Sequence, residues 1–477
     1  MQLTRSLPVD AVPVTMETPA PARSLYFDLL DSPEAPRVRA RAADYLASQL
    51  EVAAGLPCDL PATPSDLDAW LEAHVSRVGS EYQHYLEARR AGAPRRYFSS
   101  KAHALHFLRG VAPTKLVDGA WLYGLLQRWN DDRFTALIQT YLEELGEGQP
   151  EKNHVVLYRK LLASQGCDDW QRLDDDHFVQ GAIQLALAAH AEQFLPEIIG
   201  FNLGYEQLPL HLLISAYELT ELGIDPYYFT LHVTVDNADN GHAKKAIQGL
   251  LAAWPQVGDR DAFYRRVVNG YRLNDLGAST LSVIAGFEPE QEVQRVLEKK
   301  AGVGQFVHSD YCRFDGRTVN QWLADPESIP QFLDTLQRRN WIKRHEDPQH
   351  SRFWQLITGE QAPMFGVFSG HEQQLIHDWI AGDWLAEQPA PRGRPQPPTP
   401  VGRASRRPQA IERDTAARPA PANGSDFDQE ALVLEQQLAQ LPDRAARMQH
   451  LLPLLAPTRH HSAAGLLATR IFTDLFN

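Results

Sequence analysis

The chain has 477 residues, of which 43% are hydrophobic and 22% are charged, an ordinary globular balance that excludes wholesale disorder. The formal net charge of −14 is unfavourable for binding a nucleic-acid backbone. No segment approaches the run of about 18 apolar residues that crosses a membrane. Three distant cysteines exclude a disulfide framework. We therefore expect a cytoplasmic protein without nucleic-acid or membrane partners.

The first three parts of the chain differ in composition and pattern. Residues 1–35 are rich in proline and small residues, which predicts a mobile N-terminal arm. Apolar residues then recur three and four positions apart, with breaks at glycine and proline, which predicts helices. We expect a core over residues 36–300 and a helical extension over residues 301–388. The fold class predicted from this pattern is all-α.

The composition changes abruptly after residue 388. Residues 389–425 are rich in proline and arginine and predict a flexible linker. Residues 426–477 predict a tail of two or three amphipathic helices, whose apolar stripes need a partner surface. That surface belongs either to the main domain or to another chain. We expect the tail to bind a second copy of the chain, in a homodimer, or a partner protein. A chain ending near Glu387 should then keep any metal bound by the core.

The strongest chemical signal is a set of four potential metal ligands spaced four, three and three residues apart. On a continuous helix, this spacing places them within one face. The set consists of His232, Asp236, Asp239 and His242. Histidines with carboxylates between them suit iron, zinc or manganese. A solvated polar face, with a turn at Asn240-Gly241, explains the segment alone equally well.

Two earlier helical segments carry further candidates. Glu144 ends one predicted helix and His154 lies in the first turns of the next, although an acid before a turn is commonplace. Glu206 is predicted to lie inside an apolar helix that Pro209 kinks. A carboxylate buried there is costly unless it is paired or bound to metal.

Two other acids have simpler explanations. Glu197 follows Pro196, which is an ordinary first-turn position of a helix. Asp118 precedes an apolar helix, where a plain N-cap is the simpler interpretation. Taken together, however, acids and histidines are spread over several otherwise apolar helices. Helical bundles hold dinuclear iron or manganese sites in this way.

Three runs of the sequence resemble a known family. EELGEGQPEKNHVVLYRKLLASQG, GFNLGYEQLP and LHVTVDNADNGHAKKA are similar to the heme-oxygenase-like diiron oxidases, also described as iron-containing redox enzymes. The resemblance covers roughly residues 97–254. It implies a helical bundle shaped like heme oxygenase that binds two Fe(II) ions and no heme, and we expect this core to carry additional helices at both ends.

The resemblance also implies a set of ligands, beginning with those on the earlier helices. His154 matches the early histidine of the family, and Glu144 matches the acid ten residues before it. Glu206 is the best match for the middle acid, and Glu197 is the alternative.

The last part of the family pattern is a His-x3-Asp-x2-His set. His232 and Asp236 match its start, but Asp239 stands where the final histidine is expected. Either Asp239 is a ligand, or a distortion of the helix brings His242 to the metal. For the earliest acid of the family, Asp118 is the nearest candidate.

The function implied by the resemblance is that of an iron-dependent oxidoreductase. It would use O2 to oxidise a small organic substrate, such as an amine, an amino acid or an acyl chain, in specialised metabolism. Two alternatives stay open: a non-catalytic helical interaction protein whose acids and histidines are buried pairs, and a protein with a single metal site.

Overall fold

The structure, a computed structural model, describes residues 21–235, 241–359, 361–387 and 426–477. Regular structure in these ranges is almost entirely helical, which confirms the all-α prediction. The exception is a short antiparallel pair of strands, β1 (Arg313–Phe314) and β2 (Arg317–Thr318). Among the described helices, none is both long and apolar enough to cross a bilayer.

Three helices open the described part of the chain. They are α1 (Ala22–Asp31), α2 (Pro36–Ala54) and α3 (Leu67–Arg90). Leu25 and Tyr26 of α1 are fully buried, and the Tyr26 ring packs edge-on against Phe178 at 5.3 Å between centroids. The mobile arm predicted for residues 1–35 is therefore wrong from Ala22 onward, because α1 belongs to the core. Residues 1–20 lie outside the described ranges.

The central helices carry the candidate ligands. They are α4 (Lys101–Gly110), α5 (Ala112–Lys115), α6 (Thr135–Glu144), α7 (His154–Gln165), α8 (Val179–Ala189), α9 (Leu195–Tyr205), α10 (Leu210–Glu221), α11 (Tyr227–Val235), α12 (His242–Ala252), α13 (Arg260–Arg272) and α14 (Thr280–Ala285). Short 3-10 helices lie at Pro64–Asp66, Ala120–Arg128, Asp132–Phe134, Gly146–Gly148, Trp170–Arg172, Asp175–Phe178, Leu273–Asp275, Pro326–Ser328, Pro348–His350 and Leu452–Leu455.

Glycines let α9 and α13 pack backbone against backbone. A Cβ atom on Gly200 would lie 1.8 Å from the carbonyl oxygen of Val267. A Cβ atom on Gly270 would lie 2.1 Å from the carbonyl oxygen of Glu197. No side chain fits in either place, so the two helices hold each other at a fixed distance. This contact anchors α9, which leads into Glu206.

The helices that follow form a separate hydrophobic cluster. They are α15 (Pro289–Gly304), α16 (Val319–Leu323), α17 (Ile329–Arg338), α18 (Arg352–Ile357) and α19 (Gly370–Ala381), and the short helix α20 (Trp384–Glu387) comes after them. The boundary predicted at residue 300 falls inside α15, because Val293 and Leu297 of that helix pack into the later cluster. Asp378 joins this layer to the core by accepting a hydrogen bond from the backbone of Ala102 at 2.7 Å.

The tail forms three helices, where the sequence predicts two or three. They are α21 (Asp426–Ala439), α22 (Arg444–Leu451) and α23 (Ala463–Phe476). Buried tail residues such as Leu455 and Phe472 belong to the same hydrophobic cluster as the core helices. The Tyr141 hydroxyl of α6 donates a hydrogen bond to the Leu455 carbonyl at 2.6 Å. The surface that the tail covers is therefore the main domain. The predicted linker lies outside the described residues.

Candidate metal centre

Six candidate residues converge on one buried cluster, and most of them lie where a helix begins or ends. Their positions follow from the element bounds given above. Asp118 precedes the 3-10 helix Ala120–Arg128, Glu144 ends α6, His154 begins α7, Glu206 follows α9, His232 lies in α11 and His242 begins α12. All six are buried. Residues far apart in the chain thus share one apolar interior.

The first group of donors consists of Asp118, Glu144, His154 and His232. One potential ligand atom from each lies within 4.8 Å of those of the others. His154 Nδ1 contacts the Glu144 carboxylate and lies 3.7 Å from Asp118 Oδ2. His232 Nε2 lies 3.5 Å from the same Asp118 oxygen. Two imidazole nitrogens and two carboxylates therefore surround one point.

The second group consists of Glu144, Glu206 and His242, whose ligand atoms also lie within 4.8 Å of one another. His242 Nδ1 lies 3.1 Å from Glu144 Oε1 and 3.1 Å from Glu206 Oε2. Glu144 thus belongs to both groups: Oε2 faces His154 and Oε1 faces His242. One buried carboxylate therefore faces two sets of potential ligands.

The chemistry of the donors fits metal ions. Three carboxylates together in an apolar interior are costly unless positive charge compensates them. Glu144 Oε2 and His154 Nδ1 are shielded from solvent, and neither makes a hydrogen bond of normal geometry in the described residues. They face each other in the first group. Mixed imidazole and carboxylate donors suit iron or manganese.

Neighbouring groups select which nitrogen of two histidines faces the cluster. His232 Nδ1 lies 2.7 Å from the Tyr228 carbonyl, so Nδ1 carries the proton and Nε2 faces Asp118. His242 Nε2 lies 2.8 Å from Glu143 Oε2, so Nε2 carries the proton and Nδ1 faces the second group. Such outer partners fix the tautomer and ring orientation of a ligating histidine.

Hydrogen bonds also hold Asp118 in its anionic form. The Tyr205 hydroxyl donates to Oδ1 at 2.6 Å, and the Tyr228 hydroxyl donates to Oδ2 at 2.7 Å. Burial alone would raise the pKa of Asp118, but the Lys115 ammonium and the adjacent His154 and His232 hold it well below its usual value. Asp118 is therefore not the plain N-cap that the simpler interpretation predicts, since Gly119 occupies the N-cap position of the helix.

The continuous helix predicted from His232 to His242 is wrong. α11 ends at Val235, and α12 begins at His242 after Gly241, whose backbone is extended (φ −79°, ψ −177°). This break brings His242 to the cluster, which is one of the two alternatives left by the sequence. Asp236 and Asp239 lie outside the described residues.

The structure places the two candidate acids of α9, Glu206 and Glu197, in different surroundings. Glu206 does not lie inside a helix: it is the C-cap of α9, and Pro209 begins the next helix as its N-cap. Its carboxylate nevertheless reaches the second group. Glu197 instead binds Arg266 through two hydrogen bonds of 2.6 and 2.7 Å. The structure therefore brings Glu206, and not the alternative Glu197, to the cluster.

Sequence reasoning missed the groups that support the donors. Glu143, Tyr205, Tyr228 and Asn153 contact candidate ligands or the turns that carry them, and no spacing rule indicates them. One signal did distinguish Glu144 from Glu143. Glu144 continues the stripe of buried residues Leu137 and Tyr141, which lie seven and three positions before it.

The charge on His154 gives metal binding a definite pH dependence. Burial alone would lower the pKa of His154, but Glu144 and Asp118 raise it to about 10. In the metal-free protein, the imidazolium therefore stabilises the fold below pH ~6.5, and this contribution is lost as the pH rises through the folded pKa. Metal must displace that proton, so affinity should rise by about tenfold per pH unit between pH 6.5 and 9. Anaerobic melts with and without Fe(II) across this range check it; a metal-dependent shift that does not change with pH would contradict it.

Glu143 provides a second prediction. Its two carboxylate oxygens accept from His242 Nε2 and from Lys245 Nζ. In Glu143→Gln the amide has one oxygen, so one donor loses its acceptor and the His242 ring is held less firmly. Metal affinity should fall by about 10- to 100-fold. Glu147→Gln is the matched control, because this acid lies in the following turn outside both donor groups. Equal affinities of the two variants would show that Glu143 does not orient His242.

The fold and the cluster define an all-α protein with a buried carboxylate–histidine centre. Residues 105–274 match the family model of the iron-containing redox enzymes, and both donor groups lie within this range. This match confirms the resemblance seen in the sequence. No curated protein and no solved structure matches the chain.

Proposed function

We propose that the protein is a non-heme diiron oxidoreductase that uses O2 to oxidise a small organic substrate. The observation that carries the proposal is the position of Glu144 in both donor groups. A site for one metal ion would not need a buried carboxylate that faces two sets of donors. Two Fe(II) ions, when bound, would supply electrons for the activation of O2.

Different residues would bind each of the two ions. Asp118, His154 and His232 would bind one ion, Glu206 and His242 would bind the other, and Glu144 would bridge them. Their three carboxylates offset three of the four positive charges of two Fe(II) ions. The apolar surroundings, which include the fully buried Trp121 and Tyr141, keep bulk water from the centre.

A polar cleft beside the second group is the proposed route for the substrate. Its volume is about 280 Å³, and Glu143, Lys245 and Thr473 are among the residues that line it. Glu143 separates the cleft from His242. An amine or amino acid suits this mixed-charge lining better than an unsubstituted acyl chain does, because the cleft presents both an acceptor and a cation.

The wider setting of the protein also stays a proposal. The cysteines Cys58, Cys167 and Cys312 are free thiols in the structure, which supports the cytoplasm as the compartment. A homodimer or partner protein that binds the tail would have to use residues such as Leu432 and Val433, which are exposed on α21. The buried stripes of the tail face the core.

An anaerobic Fe(II) titration tests the proposal and separates it from both alternatives. We expect two equivalents of Fe(II) to bind per chain, and the loaded protein to consume O2. One equivalent would support the single-metal site. No binding, with no change in melting temperature, would support an interaction protein in which the acids and histidines are buried pairs.

A further inference from the structure

A histidine from the tail reaches the turn that joins two candidate ligands. His460 is buried between α22 and α23, and its Nδ1 lies 3.1 Å from Nδ2 of Asn153. Asn153 is itself fully buried and immediately precedes His154. Because the Asn153 amide nitrogen is a donor, His460 Nδ1 must be the acceptor of this hydrogen bond.

The Asn153 side chain ties together the ends of two helices. Its Oδ1 accepts a hydrogen bond from the backbone of Val156 at 3.0 Å and so caps α7, which begins at His154. Its Nδ2 donates to the carbonyl of Leu145 at 3.1 Å, one residue after Glu144. With His460 as the second acceptor, both protons of the amide are used. One side chain thereby sets the distance between Glu144 and His154.

Other tail contacts close over the same turn. A Cβ atom on Gly148 would lie 2.2 Å from the carbonyl oxygen of Leu466, so the tail backbone lies directly on the turn. Gly148 also has a positive φ of 77°, which favours glycine for a second reason. Arg470 donates to the Gly148 carbonyl at 3.3 Å. The turn between the two ligands is therefore packed from outside by the tail.

His460 is suited to the role of a neutral acceptor. Burial, together with the nearby His461 and Arg159, holds the pKa of His460 well below its usual value. The ring is therefore uncharged, and Nδ1 keeps the lone pair that the Asn153 amide requires. A protonated ring would present a donor to a donor.

We propose that His460 is a positioning residue of the metal centre, acting through Asn153 on Glu144 and His154. The proposal rests on the proposed function, because it assumes that these two residues bind metal. The family match ends at residue 274, so this support comes from a part of the chain outside the matched segment. The tail is then a component of the centre and not an appended module.

Two substitutions of His460 separate the hydrogen bond from the packing. His460→Asn places an amide oxygen near the position of Nδ1 and keeps an acceptor for Asn153, whereas His460→Leu fills the space without one. Should His460→Leu fail to fold, His460→Gln replaces it, because its amide extends toward the Nε2 position. Phe472→Leu is the control for loosened packing, since Phe472 is a fully buried tail residue outside the hydrogen-bonded turn.

Co(II) serves as the probe, because its visible spectrum reports both binding and geometry. We expect His460→Leu to bind Co(II) about 10- to 100-fold more weakly than the natural chain and with a shifted spectrum. His460→Asn and Phe472→Leu should retain both the affinity and the spectrum. If His460→Leu binds like the natural chain, or if Phe472→Leu weakens binding as much, the proposal is overturned.

Hydrogen exchange at the Val156 amide gives a readout that needs no metal. Asn153 Oδ1 accepts the hydrogen bond of the Val156 N–H, so a loosened Asn153 should raise the exchange rate of that amide. We expect this increase in His460→Leu, which lacks the acceptor, but not in His460→Asn. Unchanged exchange would overturn the positioning role. Failure of the natural chain to bind Co(II) or Fe(II) would instead overturn the proposed function, while Val156 would still report whether His460 holds Asn153.

Discussion

Replacing Glu144 with glutamine is expected to abolish the binding of both metal ions. Glu144 is the member common to both donor groups, and it also faces the His154 ring. The glutamine amide keeps the volume but removes the charge, and its NH2 group cannot bind a metal ion. Anaerobic titration should show Fe(II) binding falling from two equivalents to none, in a protein that remains helical by circular dichroism.

Glu197→Gln is the matched control for this prediction. Glu197 is also a buried glutamate, but it pairs with Arg266. Its replacement should lower the melting temperature, because Arg266 loses its partner, while both metal ions still bind. Glu206→Gln should lose only the metal ion of the second group and should therefore keep one equivalent of Fe(II). If Glu197→Gln loses metal and Glu206→Gln does not, the middle acid has been assigned to the wrong residue.

The candidate ligands could be predicted where local chemistry identifies them. A helix that ends at Glu144, and a second helix with His154 in its first turns, follow from the glycine and proline residues between them. Glu206 was recognisable because an acid within an apolar run needs a partner. The resemblance to a family then selected the residues, and its segment agrees with the family match. These inferences all depend on short stretches of sequence.

The remaining parts of the centre depend on contacts distant in sequence. Asp118 looks like an ordinary N-cap until Tyr205 and Tyr228 are seen to bind it. The position of His242 depends on an extended residue, Gly241, in a segment whose periodicity is helical. His460 is separated from Asn153 by 307 positions. Neither periodicity nor spacing reports which surfaces meet in the folded protein.

The tail gives the clearest contrast between sequence and structure. The apolar stripes predicted its helices, and the proline- and arginine-rich linker before them led to the expectation that the core keeps its metal without the tail. In the structure the tail shares the hydrophobic cluster of the core. A module that only docked a partner would not also supply the second acceptor for Asn153 beside His154. The composition therefore indicated where the linker lies along the chain, but it did not indicate that the tail packs into the core.

A chain ending at Glu387 is expected to lose both its cooperative unfolding and its metal binding, contrary to the expectation from sequence alone. Each large apolar side chain that is fully buried stabilises a protein by roughly 1.5–3 kcal/mol. Total stability is only about 5–15 kcal/mol, so exposing to water the core surface that several such side chains cover removes a large part of it. The large apolar tail residues that the truncation removes from the core cluster are Leu434, Leu438, Met448, Leu451, Leu452, Leu454, Leu455 and Phe472.

The control for the truncation is a cut that leaves the tail in place. Cleavage at a protease site inserted within residues 389–425 breaks the chain between the core and the tail. The contacts of Tyr141 with Leu455 and of Asn153 with His460 then hold the two pieces together. The cut protein should elute as one species, melt cooperatively and bind metal, because the apolar contacts between core and tail do not require the linker. A truncated chain that melts and binds Fe(II) like the full chain would show that the core needs no tail, as expected from the sequence alone.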